Sequence, residues 1–331
     1  DYYMRYTNDM VVSKTYPAVL GSTGGKENLA NMRTNGWELS IGWSDKIDNV
    51  AGSPLSYSIG FGLADSYSTI TKYDNPEGAL NDYYEGKRIG EIWGYVTDGF
   101  IETKEEAERM RTIQGQISSG EWLIGDIRYK DLDGKEGITP ARTIDNTGDQ
   151  KVIGNTTPRF SYNITASASW KNFDVRVFFE GIGKRDLWVD SPVFWGFSGN
   201  VWQAAVNDYH VDNSWSPTNT NAYYPIPTYS DRSKKVQTKY LQNGAYIRLK
   251  DLTISYTLPK KWLSPIGVEQ LKVFASGQNL WVGTKLFKYL DPDIVSTRRS
   301  NSDGGMVGNL LSDGKAYPFS KTYSIGVNLT F

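Results

Sequence analysis

Phe160-Ser161-Tyr162-Asn163-Ile164-Thr165-Ala166-Ser167-Ala168-Ser169-Trp170 is followed, after Lys171-Asn172, by Phe173-Asp174-Val175-Arg176-Val177-Phe178-Phe179. Apolar and polar residues alternate strictly through the first run and nearly so through the second. Period two marks a β-strand whose two faces meet different surroundings. A two-residue join between such runs predicts a tight antiparallel hairpin. The alternation recurs at Trp37, Leu39, Ile41, Trp43, at Leu55, Tyr57, Ile59, Phe61, Leu63 and at Tyr323, Ile325, Val327, Leu329, Phe331. Ile247 and Leu249, then Leu252, Ile254, Tyr256 and Leu258, slip phase near Lys250-Asp251, as a β-bulge would make them do. Leu271, Val273 and Ala275 form another run, and Tyr2, Met4, Tyr6 open the chain in the same way.

Eight strands follow, at 2–11, 34–45, 53–67, 157–170, 172–183, 244–258, 267–281 and 320–331; residues 89–101 are read as part of an insertion. These strands exceed the roughly 5–6 residues common in soluble sheets. About 9–11 residues at a tilt near 45° cross a bilayer. Long joins alternate with short ones without exception, so one end of the sheet carries tight turns and the other all the large loops. The fold class expected is all-β: an antiparallel transmembrane β-barrel segment with long extracellular loops and short periplasmic turns. The alternative is a soluble sandwich or propeller, in which the apolar residues would meet inside a dry core.

Composition narrows the function. The chain has 331 residues, with Lys+Arg 36 against Asp+Glu 37. That balance argues against nucleic acid as a partner. There is no cysteine and one histidine, His210. Disulfides, thiol catalysis and multi-histidine metal sites are thereby excluded. Mean hydropathy is −0.49, which on its own suggests a soluble protein, yet aromatics reach 14%. Trp43, Trp170, Trp281 and Phe331 at strand ends suit interfacial girdles. The opening Asp-Tyr-Tyr reads as the middle of a strand, so the chain is expected to be part of a longer polypeptide.

Several segments, in order, resemble the SusC/RagA-like TonB-dependent outer-membrane transporters. Asn35-Gly36-Trp37-Glu38-Leu39 is similar to the family's N-G-x-E-L strand opening. Trp93-Gly94-Tyr95-Val96-Thr97-Asp98-Gly99-Phe100 is similar to its x-G-Y-x-x-D-G-hydrophobic segment. Gly125-Asp126-Ile127-Arg128-Tyr129-Lys130-Asp131-Leu132-Asp133-Gly134 matches G-D-x-x-Y-x-D-x-[ND]-G. Ile153-Gly154-Asn155 through Tyr162, the loop from Trp215 to Pro225 and the terminal Tyr323–Phe331 run complete the set. The resemblance implies a 22-stranded barrel with an N-terminal plug and a SusD-like lipoprotein lid, of which residues 1–331 would be a C-terminal part, without the plug or the first strands. It further implies TonB-driven import of oligosaccharides or peptides across the outer membrane of a gram-negative bacterium, with no catalytic residues. Outer-membrane lipid and the remainder of the polypeptide are the other partners implied. The sheet is then expected to need that remainder for closure. A soluble carbohydrate-binding protein or glycoside hydrolase is the competing reading.

Candidate site residues lie in the long joins. Trp188, Trp195, Trp202, Tyr209, Trp215, Tyr223 and Tyr224 crowd one predicted extracellular loop. Flat rings stack on sugars and anchor protein interfaces; equally, they can pack the loop on itself. Asp131, Asp133 and Asp145 form a degenerate calcium-like loop, with Asp149 a further remote ligand. Lys135 and Glu136 stand where a third acid and a glycine belong, so a structural turn is the competing reading. No other cofactor is expected. Thr103-x-x-Glu106 has capping-box spacing ahead of a short helix, and His210 reads as a solvated loop residue.

Overall fold

The computed structural model describes residues 1–13, 25–197, 206–294, 297–298, 310–311 and 318–331. Eight long strands form one sheet: β1 (Tyr2–Ser13), β2 (Lys26–Val50), β3 (Ser53–Lys72), β4 (Arg159–Trp170), β5 (Phe173–Lys184), β6 (Tyr246–Thr257), β7 (Gln270–Thr284) and β8 (Thr322–Thr330). Each pairs antiparallel with its sequence neighbours, so the order in the sheet is the order in the chain. Among the described residues β1 and β8 do not pair with one another. No helix of the described residues is long and apolar enough to cross a membrane.

The registers explain the alternation. Residues directly opposite in an antiparallel ladder share a face. Ile41, Phe61, Ile164, Phe179, Leu249 and Trp281 are successive partners from β2 to β7. Ile47, Leu55, Trp170, Phe173, Tyr256, Val273 and Val327 form a second such row, which reaches β8. Between them runs Ser44, Ser58, Ser167, Arg176, Thr253, Ser276, Ser324, on the opposite face. From β2 to β8 these rows place most apolar side chains on one common side, with Phe178 and Phe274 on the other. The common side has no dry core over it: Ile59 is 51% exposed, Trp43 62% and Ile325 84%. The apolar rows from Leu39 to Ile47 extend about 27 Å along the strand at about 3.4 Å per residue, or about 19 Å in height at a tilt near 45°, and the Trp37 rung brings the span to about 24 Å, close to the ~25 Å band of a membrane barrel.

The opposite face is wet and hydrogen-bonded. Ser58 Oγ lies 2.7 Å from Ser167 Oγ. Lys272 Nζ donates to Asp174 at 2.9 Å, and Ser169 Oγ donates to the same carboxylate at 2.7 Å.

The expected phase slip is present. Lys250 is an extra residue on β6 relative to β5, between the pairs Leu249–Phe179 and Asp251–Phe178. Against β7 the irregularity lies on β7 itself, beside Asn279, whose φ is 53°. Together the two keep Leu249 and Leu252 on the apolar face.

β2–β3 is closed by Ala51 and Gly52, with φ of 47° and 81°. Two left-handed residues make the two-residue turn whose twist matches paired strands. β4–β5 turns at Lys171-Asn172, with Trp170 Nε1 donating to Val50 O at 2.9 Å. β6–β7 turns through two short helical segments, Lys260–Leu263 and Ser264–Ile266. The joins at the other end are long, and the 89–101 stretch lies within one of them as two short strands, Glu91–Tyr95 and Thr97–Phe100. β2 runs well past the expected 34–45, because its upper half pairs with β1 and β3.

If the apolar face meets lipid, a charge placed on it meets hydrocarbon, whereas one placed on the polar face meets water. Phe61→Arg is expected to destabilise the bilayer-inserted protein by about 2–4 kcal/mol. Ser44→Arg should cost under about 1 kcal/mol. Urea unfolding in lipid vesicles measures both; equal costs would contradict the facing.

Candidate functional site

The described parts of the long joins after β3, β5 and β7 assemble into one body at a single end of the sheet. Its core comprises Tyr95, Ile101, Met110, Trp122, Ile127, Tyr129, Leu187, Trp188, Phe194, Trp195, Tyr224, Tyr240 and Phe287, drawn from all three joins. Among the described residues, most of the buried apolar side chains lie here rather than on the sheet. Trp195 and Tyr240 sit 4.8 Å apart at an edge-on angle, and Phe194 meets Phe287 at 5.2 Å in the same geometry. Edge-to-face pairs of this kind stabilise beyond their buried area, by about 0.5–1.5 kcal/mol each.

The sequence motifs serve this assembly. Gly125 has φ of 89°, and a Cβ there would lie 2.4 Å from the Trp215 ring. Asp126, wholly buried, accepts from Leu123 N, Ser233 Oγ and Arg232 Nε. Tyr129 donates its hydroxyl to Arg232 O at 2.8 Å. Gly-Asp-x-x-Tyr is thus a clasp between the first and second long joins. Arg248, almost fully buried, pairs with Asp291, while Lys250 reaches Asp293 at 2.9 Å and Glu180 at 2.8 Å. These ion pairs pin the third join to β6.

The α1 helix, Lys104–Ile113, is N-capped by Thr103, which accepts from Glu106 N at 3.1 Å. The reciprocal half of the box goes elsewhere: Glu106 accepts from Glu102 N and pairs with Arg128.

His210 is not solvated, contrary to the expectation. It is 0% exposed. Its Nδ1 accepts from Asn207 N, its Nε2 lies 3.0 Å from Phe194 O, and Asn207 caps the helix Asp208–Asn213 by accepting from His210 N. With Nδ1 accepting, Nε2 carries the proton of a neutral ring. The difference arises because His210 lies in the short helix Asp208–Asn213, whose geometry turns it inward while Asp208 and Asp212 stay outside.

The aromatic candidates divide. Trp188, Trp195 and Tyr224 are buried in the core, and Tyr223 and Tyr209 pack partly against it. Trp215 covers Gly125; Trp202 lies outside the described residues. Tyr209 is the candidate with a surface role in view. Lys288 Nζ sits 4.6 Å from its ring centroid and 4.8 Å from that of Tyr289. Tyr289 is half exposed, and so is Tyr229. These last two were missed because they fall outside the aromatic-dense stretch 188–224. Half-buried Tyr209 with exposed Lys288 and Tyr289 makes a ring–cation–ring patch against the loop core, able to stack on a sugar or peptide group and to meet a carboxylate.

The acidic loop brings together Asp131, Asp133 and Asp149, whose oxygens approach within 4.8 Å of one another. Asp145 is exposed and is not one of the three. Asp149, buried, accepts from Leu132 N at 2.6 Å and Thr139 N at 2.8 Å. Asp131 accepts from Gly134 N, and Asp133 accepts from Lys135 N and faces its ammonium. These carboxylates are held by the chain's own donors, as in a structural turn.

No protein-family model matches the chain. It is 27% identical over 344 residues to TonB-dependent receptor P3 of Formosa agariphila, a match covering 100% of this chain and 32% of that receptor. TonB-dependent receptor P26 of the same organism is 24% identical over 352 residues, again covering 100% and 32%. In three dimensions the chain superposes on the RagAB peptide importer in its open-open state with a TM-score of 0.69 at 20% identity, covering 100% of this chain and 32% of that one. Against the closed-closed state the TM-score is 0.66 at 21% identity, covering 100% and 33%. The chain spans about a third of the length of these relatives.

Two outcomes follow from the loop core. Asp126→Asn strands the buried Arg232 charge, so it is expected to cost about 3–5 kcal/mol, read as protease cleavage within the loops while the sheet persists. Burial holds the His210 pKa below its ordinary value of 6.5. An unfolded histidine binds its proton first as pH falls, so the stabilisation is complete above about pH 6.5 and is lost below it. Protection factors at residues 191–197 and 206–214, corrected for the intrinsic pH dependence of exchange, should therefore fall as pH drops below about 6.5, and His210→Phe should flatten that dependence.

Proposed function

We propose that the chain, a SusC/RagA-like stretch of a TonB-dependent receptor, is the C-terminal barrel portion of a gram-negative outer-membrane importer. The observation that carries this reading is the row structure of the sheet: unbroken apolar rows on one face, hydroxyl and charged rows on the other, and every large loop at one end. Once its edge strands β1 and β8 are paired by the rest of the polypeptide, such a sheet satisfies its backbone internally and tolerates hydrocarbon on one side only. The polar face lines the route of a hydrated solute, and the loop body frames its outer mouth.

In this reading no bond is made or broken. Energy arrives through TonB and a plug supplied by the polypeptide outside residues 1–331, and a SusD-like lipoprotein covers the loop body. The solute class is an oligosaccharide or a peptide. The patch of Tyr209, Lys288 and Tyr289 supports contact with either the solute or the lid, since all three groups stand on the side remote from the tight turns. Calcium at Asp131, Asp133 and Asp149 would tie a loop rather than act on solute.

Deleting the gene in its host is expected to abolish growth on one class of polymeric nutrient, polysaccharide or protein, while growth on the corresponding monomers is retained. Restoring the full-length gene should restore growth, and Tyr209→Ala with Tyr289→Ala should slow uptake several-fold at unchanged barrel abundance. Unaltered growth on both polymer classes, with the protein recovered in the soluble fraction, would overturn the proposal.

A further inference from the structure

The apolar rows end in a girdle, and directly above it stands a cluster of arginines on the same face. Tyr2 and Trp37 are partners across β1 and β2, and Trp37 is opposite Asp65 on β3. Two residues further up, Asn35 is opposite Tyr67, and Arg33 is opposite Thr69 one rung beyond. These residues keep the parity of Leu39 and Leu63, so they continue the outward face. Thr69 bridges to Arg88, from the first long join. The Arg88 guanidinium lies 4.8 Å from the Tyr67 ring centroid, and that of Arg159 lies 5.4 Å from it.

The charges there are unbalanced. Arg159 is held by Asp65, but neither Arg33 nor Arg88 forms an ion pair with a described residue. Two polar atoms in the same cluster are buried without a hydrogen-bond partner: Arg33 Nε, a donor, and Asn35 Oδ1, an acceptor. Asn35 is 7% exposed. A group that satisfies both must accept from the guanidinium and donate to the amide oxygen. A phosphate flanked by a sugar hydroxyl does this, whereas a phosphate dianion alone offers no donor.

Height selects the source. Tyr67 lies two residues above the Trp37–Asp65 rung, about 7 Å along the strand and roughly 5 Å in height at the usual tilt. Headgroups occupy roughly the first 5–7 Å above the hydrocarbon. Resting on the membrane reading above, we infer that Arg33, Asn35, Tyr67 and Arg88 form an outward-facing site for the sugar-phosphate headgroup of an outer-leaflet glycolipid. The guanidiniums take the phosphate, the Asn35 oxygen takes a hydroxyl, and Trp37 and Tyr2 lie at the acyl boundary.

The test uses the full-length protein purified from outer membranes in mild detergent and then stripped of lipid. Monophosphoryl lipid A, its dephosphorylated counterpart and inorganic phosphate are the probes, with retention read by native mass spectrometry. Each arginine near a membrane surface contributes about fivefold in affinity, so Arg33→Gln with Arg88→Gln should weaken monophosphoryl lipid A binding by roughly 25-fold. Arg88→Gln alone, at an exposed position, should weaken it by about fivefold. Lys171→Gln and Lys260→Gln, at the tight-turn end, should leave it unchanged. Dephosphorylated lipid A should bind weakly, and inorganic phosphate should not compete. Competition by inorganic phosphate would overturn the lipid as source. Equal retention in wild type and double variant, both recovered from outer membranes, would overturn the site while leaving the membrane reading intact. Absence of the wild-type protein from outer membranes would overturn both.

Discussion

Side-chain phase held in register across eight strands is the constraint on which everything else here depends. In a hydrogen-bonded sheet the side-chain period is two, so a slip of one residue on any strand would send its apolar set to the wrong face. Soluble sheets can hide such a slip under a second layer. This sheet has none over its lower half, and Ile41, Phe61, Ile164, Phe179, Leu249 and Trp281 must all point the same way. The irregularities at Lys250 and Asn279 are part of that constraint, because they adjust phase where β6 passes from loop body to band.

The loops answer a different demand. A join of some tens of residues cannot rely on the sheet's outward face for burial, so it must build a core of its own. Three joins do so together, with Trp188, Trp195, Tyr224, Tyr240 and Phe287 at the centre. Charged clasps set their relative positions: Asp126 with Arg232, and Arg248 with Asp291. The aromatics at the centre of these joins are therefore structural, and on the proposed reading contact with a solute or lid falls to the fringe, at Tyr209, Lys288 and Tyr289.

The strands were legible in the sequence because period two is a local signal, and their tight turns were legible from length alone. The upper half of β2 was not, since Lys26 to Arg33 alternates poorly and is a strand only through its neighbours. The calcium-like loop was half legible. Asp131 and Asp133 announce themselves by spacing, but the third carboxylate, Asp149 rather than Asp145, is chosen by the path of the chain between them. His210 and the aromatic core were illegible for the same reason: burial in a long loop is decided by contacts between joins far apart in sequence. Tyr289 joins Tyr209 across 80 positions, a distance over which no periodicity carries information.

Nitroxide labels placed one at a time from Leu55 to Leu63 in the bilayer-inserted protein test the central claim most directly, and this chain contributes no cysteine of its own to the labelling chemistry. Collision with dissolved oxygen reports hydrocarbon, and collision with a water-soluble nickel chelate reports the aqueous face. The account predicts oxygen maxima at Leu55, Tyr57, Ile59, Phe61 and Leu63, with nickel maxima at Ser56, Ser58, Gly60 and Gly62. Low accessibility to both reagents at the apolar set would mean a dry protein core against that face, and would contradict it.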